Sequence, residues 1–282
     1  MTALLRLPAA PRSIQKGIPL KQVLGVEAID CLAHNVLQVF PAFDDRLFRS
    51  VALTGLEPLS MMMRGQHLAT ALYHCLPSPY SQAIEILLAS LTPPHTTTEG
   101  LGLVVFFYHP HSCFVAEYGL DPQYNGGEDP FAISMKAQYE LTQRFSAEFS
   151  IRPFLLQQPE RTLAQLMAWT TDSSPHVRRL CSEGTRPRLP WAPRIPALIA
   201  NPAPVLPILE ALKDDPSLYV RRSVANHLGD IAKDHPEIAF ALCERWLMGA
   251  SKEVKWLIRH ALRHPAKMQN KTALQLRAAA KS

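Results

Sequence analysis

Three stretches of the C-terminal half repeat one pattern of apolar and polar positions. They are WTTDSSPHVRRLCSEG, LKDDPSLYVRRSVANHLGD and WLMGASKEVKWLIRHALRH, and they superimpose on Val177, Val220 and Val254. Eight residues before each valine stands a large apolar residue, Trp169, Leu212 or Trp246, closing a preceding helix. Each unit therefore reads as helix, short turn, helix. The valines are 43 and 34 residues apart, which brackets the period of about 40 of HEAT and armadillo helical pairs. The proline-rich string RPRLPWAPRIP (186–196) accounts for the longer first spacing.

Helical geometry sorts the second helix of each unit into faces. Positions three, four and seven after the valine share its side of the cylinder. They are Leu180, Cys181 and Gly184; Ser223, Val224 and His227; Leu257, Ile258 and Ala261. These are expected to pack inward, with His227 a core histidine. Positions two, six and ten give polar stripes of Arg179 and Glu183; Arg222, Asn226 and Asp230; Trp256, His260 and His264. Stacked repeats would merge the stripes into one extended polar surface.

The N-terminal half is also helical in character, with apolar residues at helical spacing in EAIDCLAHNVLQVF (27–40) and SQAIEILLASL (81–91). Breaks fall at PAFDD, LPSPYS and TPPHTTTEG. The segment 119–131, rich in Gly, Pro, Asp and Asn, reads as a loop or partly disordered insertion before a helix over 134–151. The expectation is an all-α fold of HEAT-like repeats in a single domain, 20–267. A flexible N-terminal arm (1–19) precedes it, and a polar C-terminal tail (268–282) that frays follows.

Composition narrows the class. The 282 residues are 47% hydrophobic with only 12 glycines, enough for a sizeable core. The longest apolar run near the middle, Leu103 to Tyr108, is far short of the roughly 20 residues of a membrane helix. The N-terminus lacks the sustained apolar core of a signal peptide. A cytoplasmic, monomeric protein is expected. The five cysteines are scattered without a CxxC, as in a reduced helical core. His109, His111 and Cys113 lack a second ligand pair and read as a loop crossing, so neither metal nor cofactor is expected.

Charge supplies the first functional clue. Residues 1–141 hold 8 Lys and Arg against 12 Asp and Glu, whereas 142–282 hold 21 against 12. A basic C-terminal half suits a polyanion such as nucleic acid, and equally an acidic protein partner. Arg178, Arg179, Arg186, Arg188, Arg194, Arg221 and Arg222 lie within 45 residues, a density that suits phosphate contacts through paired guanidinium donors. Arginines after a turn aspartate also form structural ladders, here with Asp172 or Asp215, so some of the seven belong to the scaffold. Asn226 and Arg259 complete the expected DNA-binding set.

Within QYELTQRFSAEFSIRPF, Arg144, Glu148 and Arg152 stand four apart. One reading is a surface ladder worth about 0.3–0.5 kcal/mol per pair. The other is that two cations keep Glu148 ionised, as an electrostatic stabiliser or water-orienting group. Glu183 follows Arg179 by four and precedes GTRPR, with the same two readings.

The strings YELTQRFSAEFSIRPF (139–154), HVRRLCSEGTRPRLPWAPRIPALI (176–199) and DDPSLYVRRSVANHLGDIAKDHPE (214–237) resemble the signature segments of AlkC-type bacterial DNA alkylation-repair glycosylases. The resemblance runs from about Leu20 to Pro265. It implies a HEAT-like solenoid that cradles duplex DNA on a concave basic surface. It also implies excision of cationic N-alkylated bases of the 3-methyladenine and 3-methylcytosine type, in base excision repair, without full base flipping. On its pattern Glu148 and Glu183 match acidic catalytic positions, with Asp230 a third, and Trp191 matches an aromatic position beside the lesion. Two departures stand out: residues 121–131 are longer than usual, and Gly229 replaces a common asparagine. Some relatives carry an immunoglobulin-like domain after the helices, and none is read in this sequence.

The implied chemistry fits these residue types. Alkylation at a ring nitrogen makes the base a cationic leaving group, so fixed carboxylates that stabilise the developing sugar cation suffice without a strong general acid. The rival expectations are a non-catalytic HEAT scaffold for a protein partner and a DNA-binding relative that has lost catalysis.

Overall fold

The computed structural model describes residues 5–281, which hold sixteen α-helices, four 3-10 segments and no strand. The chain divides into two compact units, Met1–Pro153 and Phe154–Ser282, where the sequence led us to expect one. The first contains α1 (Val26–Val39), α2 (Asp45–Leu53), α3 (Met61–Cys75), α4 (Tyr80–Ala89), α5 (His109–Tyr118) and α6 (Phe131–Thr142). The chain passes to the second unit through α7 (Ile151–Gln157). There follow α8 (Pro159–Trp169), α9 (Pro175–Glu183), α10 (Pro196–Ala200), α11 (Leu206–Leu212) and α12 (Leu218–Asp234). Last come α13 (Pro236–Leu247), α14 (Lys252–Ala261), α15 (Arg263–Lys267) and α16 (Lys271–Ala279).

The three repeats of the C-terminal unit are α8/α9, α11/α12 and α13/α14, and α12 packs against both α9 and α14. Val177, Val220 and Val254 are buried, as are all nine residues predicted to share their faces. Recurring turn chemistry starts the first two of these second helices. Asp172 Oδ1 accepts from the Ser174 amide at 2.7 Å, and Asp215 Oδ1 accepts from the Ser217 amide at 2.8 Å. The arginine after each valine then ties back to the turn. Arg178 donates to the carbonyls of Asp172 and Ser173, and Arg221 to those of Asp215 and Pro216. Neighbouring repeats are cross-linked by side chains: Glu210 Oε2 accepts from Trp246 Nε1 and Arg245, each at 2.7 Å, and Ser251 donates to Asp214. Gly229 lies where α12 meets α14, and a Cβ there would come within 3.1 Å of the Ala261 carbonyl. The glycine thus permits this close approach, which an asparagine would meet only by shifting α14 a few tenths of an ångström.

The N-terminal unit is centred on α3, which packs on α2, α5 and the 3-10 turn Leu20–Leu24. Gly65 of α3 receives the His109 ring so closely that a Cβ would lie 2.2 Å from it. The histidine run expected as a loop crossing is instead the start of α5. Burial pushes His109 down to about 4 and His111 to about 3, and pushes the Cys113 thiol up to about 12. These groups are neutral core side chains, and the described residues hold no cluster of three metal-ligating groups.

Three further segments differ from expectation. The helix predicted over 134–151 ends at Thr142, so Arg144, Glu148 and Arg152 do not share one helical stripe. Arg144 turns aside, donating to the Thr92 carbonyl at 2.5 Å and to Glu140 at 2.8 Å. Lys271–Ala279 form a docked helix where a fraying tail was expected, because Asn270 caps α16 and Ala273, Leu276 and Ala280 are buried. The N-terminal stretch from Leu5 to Pro19, expected to be a flexible arm, is non-helical but anchored. Asn35 of α1 both donates to and accepts from the backbone of Arg6, and Glu27 accepts from the Ala9 amide. Residues 1–4 and 282 of the expected arm and tail lie outside the described residues. The 121–131 insertion is built around Asn125, which accepts from the Ser81 amide and donates to the Glu128 carbonyl. Tyr124 of the same insertion meets the stacked rings of Tyr73 and Tyr118 edge-on.

Candidate active site

Two buried carboxylates in the C-terminal unit are bridged by one guanidinium. Glu183 closes α9 and is 5% exposed; Asp230 lies in α12 and is 3% exposed. Arg186 donates through Nη1 to Glu183 Oε1 at 2.7 Å and through Nε to Asp230 Oδ2 at 2.9 Å. Ser223 Oγ donates to the other Glu183 oxygen at 2.6 Å, and Lys233 donates to Asp230 Oδ1 at 2.9 Å. The repeat geometry placed both acids on an open polar stripe. They are buried because the connection after α9, which lies outside the repeat pattern, turns Arg186 back onto them.

Burial alone would raise the Glu183 carboxyl, but the charges of Arg179 and Arg186 and the Ser223 hydrogen bond outweigh it and hold it below the usual carboxylate range. An acid so held is an anion at neutral pH and a poor proton donor. Arg179 reaches Glu183 at 3.6 Å while its guanidinium lies 4.8 Å from the centre of the Tyr219 ring. His227 is fully buried beneath the pair, its Nδ1 3.0 Å from the Ser182 carbonyl, and burial keeps it neutral by pulling it down to about 4.

The connection also presents an aromatic ring to solvent. Leu189 and Ile195 are buried and the Ile195 amide donates to the Pro187 carbonyl, which pins the loop at both ends. Between them Trp191 is 71% exposed at φ 65°. A bulky residue in the left-handed region costs on the order of 1–2 kcal/mol, and here no core packing offsets it. Strain held at an exposed ring marks a functional position better than a structural one.

The remaining predicted residues separate by partner. Arg178 holds Asp215 through two hydrogen bonds of 2.6 and 3.1 Å, and Arg188 holds Asp234 through two of 2.7 Å. Together with Arg186 and Arg221, these guanidinium groups are engaged inside the fold. Arg259 donates to the Ala280 carbonyl. Arg194 and Arg222 are exposed. Asn226 is half-buried and its Oδ1 accepts from Arg263 Nη2 at 2.9 Å. Glu148, in the N-terminal unit, is half-buried in the turn after α6 and accepts from Ser146 Oγ at 2.8 Å.

No family model matches the chain. Among solved structures, the alkylpurine DNA glycosylase AlkC of Pseudomonas fluorescens, bound to DNA containing an abasic site analog, matches at TM-score 0.80 and 41% identity. The match covers 92% of this chain and 68% of that one. The chain belongs to the AlkC family. An uncharacterised protein of Bacillus subtilis (strain 168), YhaZ, is 40% identical over 258 residues, which span 91% of this chain and 67% of that protein. Membership makes the helical repeats a family trait. No helix of the described residues is long and apolar enough to cross a membrane.

Sequence reasoning missed Ser223, Lys233 and Arg263. Ser223 was assigned to the core by its spacing, and it is buried, but its hydroxyl serves Glu183. Lys233 follows Asp230 by three within one helix, a pairing that the sequence signals directly. Arg263 falls within the third repeat string but off the stripe of positions two, six and ten, and the helix breaks at Leu262 before it, so α15 starts anew at Arg263.

Proposed function

We propose that this AlkC-family chain is a DNA glycosylase that excises cationic N-alkylated bases, of the 3-methyladenine and 3-methylcytosine type, from duplex DNA. It acts as a cytoplasmic monomer with neither metal nor cofactor. The observation that carries the reading is the buried Glu183 carboxylate, held as an anion by Arg179 and Arg186. A fixed negative charge of this kind stabilises the sugar cation that develops as the glycosidic bond lengthens, more than it stabilises the ground state.

In the reaction the C1′–N bond breaks and its electron pair neutralises the base, which needs no added proton to leave. Water adds to C1′ and releases a proton, with Glu183 as the group that orients it. Glu148 is the second proposed carboxylate, on the strength of its match to the family motif. Asp230 and Ser223 set the position of Arg186 and Glu183, and Trp191 contacts the sugar beside the lesion. Arg179, Arg194, Arg222 and Asn226 are the proposed DNA contacts of the original set, while Arg178, Arg186, Arg188, Arg221 and Arg259 serve the scaffold. Leaving the base in the stack limits selectivity to what the lability of the lesion provides, unlike glycosylases that flip the base.

The test is single-turnover base release from matched duplexes bearing 3-methyladenine or uracil. The wild type should release only the cationic base, and Glu183→Gln should slow release by roughly 10²–10⁴ with duplex affinity nearly unchanged. Glu148→Gln should do the same. Arg222→Ala should reduce the salt slope of binding by about 0.9 per phosphate lost, whereas Arg188→Ala should not. Uracil release at a comparable rate sinks the electrostatic mechanism, and absence of any base release leaves a binding protein.

A further inference from the structure

Arg222, His260 and Arg263 lie within electrostatic reach of one another beside the carboxylate pair, whose Asp230 acts on Arg263 without an ion-pair contact. Arg222 is exposed with no carboxylate within ion-pair distance among the described residues, and Arg263 Nη1 and Nη2 end on the His260 carbonyl and Asn226 Oδ1. The same Oδ1 lies 3.2 Å from His260 Nε2. Arginine can only donate, so Oδ1 is the acceptor and His260 Nε2 carries its hydrogen. In the neutral ring the lone pair is therefore on Nδ1. The imidazole also stacks on Trp256, centroids 5.0 Å apart and planes 17° apart.

We propose that Arg222, His260 and Arg263 seat a phosphodiester of the bound DNA, and that His260 takes up a proton at Nδ1 as that phosphate docks. The proposal rests on the DNA-binding part of the reading above and not on excision. The two guanidinium charges of Arg222 and Arg263 both act on the imidazole, which Arg263 and Asn226 Oδ1 hold in place, and an anion placed among these groups offsets the positive potential. Burial, Arg263 and Arg222 together hold the free imidazole below its ordinary range, so it is uncharged near neutrality. Arg222 of α12 and Arg263 of α15 are the charged groups that act on it. Among the described residues, α13 and α16, which also pack on α14, bring no charge to bear on the ring. A docked phosphate reverses the local potential and favours imidazolium, and the indole face beneath stabilises the cation further. Trp256, His260 and the neighbouring turn then bind as one prepared surface.

The experiment measures affinity of the full-length chain for undamaged duplex DNA between about pH 6 and 8 at constant ionic strength. Proton uptake is measured by calorimetry in two buffers of different ionisation enthalpy. The wild type should bind more tightly as pH falls, by up to about tenfold per unit where a full proton is linked, and should take up close to one proton. His260→Gln keeps a donor toward Asn226 but cannot titrate, and should flatten the pH slope and abolish the uptake with its circular dichroism intact. Arg263→Gln, which leaves the imidazole in place, should lower the salt slope and retain some proton linkage. Wild-type binding without proton uptake, or uptake unchanged in His260→Gln, overturns the proposal. Displacement of the DNA by inorganic phosphate without pH-linked duplex binding does so too. Lost base release with intact proton-linked binding refutes only the catalytic reading, and intact release with unlinked binding refutes only this one.

Discussion

In the N-terminal unit Arg64 is 1% exposed, and its guanidinium donates to the carbonyls of Lys21, Leu24 and Glu57 as well as to the exposed Glu57 carboxylate. In the C-terminal unit the sunken guanidinium groups of Arg178 and Arg186 end chiefly on the carboxylates Asp215, Glu183 and Asp230. The two uses follow from the backbone around each. Where the chain runs through irregular turns, carbonyl groups lack helical partners, and a buried cation with five donors satisfies several at once. Where repeats stack, turn and helix acids lie across the interface, and Arg178 and Arg186 reach them there. Arg222, which has no acid within ion-pair distance among the described residues, and Arg263, which ends on the His260 carbonyl and Asn226, are among those proposed to meet a polyanion.

The largest expected effect that tests this contrast is on Arg64. Arg64→Met keeps the volume but strips charged donors from three carbonyls, and should destabilise the N-terminal unit by roughly 5 kcal/mol. A denaturant midpoint close to the wild type would show that water replaces the guanidinium and that Arg64 is not needed to satisfy these carbonyls.

A smaller loss is expected across the repeats. Arg178→Ala leaves the buried Asp215 charge with its turn amide alone and should cost about 3 kcal/mol. Adding Asp215→Ala should recover part of that loss, because the stranded charge goes with it. Strict additivity of the two substitutions in a double-mutant cycle would mean that the pair is not coupled.

The smallest effect is at Glu210, which is partly exposed. Burial raises its carboxyl, but hydrogen bonds from Lys213, Trp246 and Arg245 outweigh this and bring it down to about 2. A folded value below the unfolded one stabilises the fold above the ordinary carboxylate range, and that contribution fades as pH falls from about 4.3 towards 2. Solvent screening keeps it modest. Glu210→Gln should flatten the thermal midpoint over that window, and an unaltered acid limb would assign the acid sensitivity to other groups.

The repeat unit was legible in residues 169–261 because its signal is local. An apolar residue eight before a valine and a core face at three, four and seven after it need only helical geometry to interpret. Glu183 and Asp230 were legible as acids of interest, but their burial was not, because it depends on Arg186 arriving from a proline-rich connection that repeat logic treats as a gap. The single helical stripe expected through Arg144, Glu148 and Arg152 did not form for a related reason. Spacing by four carries meaning only while the helix continues, and α6 stops at Thr142, where Arg144 finds better partners in Thr92 and Glu140.

By itself the sequence determined the all-helical class, the three C-terminal repeats with their inward faces, and the concentration of positive charge in that half. Each of these depends on residues a few positions apart or on composition. Only the tertiary structure decided which arginines are spent on acids and which remain free, that α16 docks, and that the N-terminal stretch is anchored on α1. Those outcomes join residues 20 to 50 positions apart, such as Arg178 with Asp215, Arg186 with Asp230 and Asn35 with Arg6. Pairing at that range is selected by burial and hydrogen-bond satisfaction in the folded packing, which no local pattern encodes.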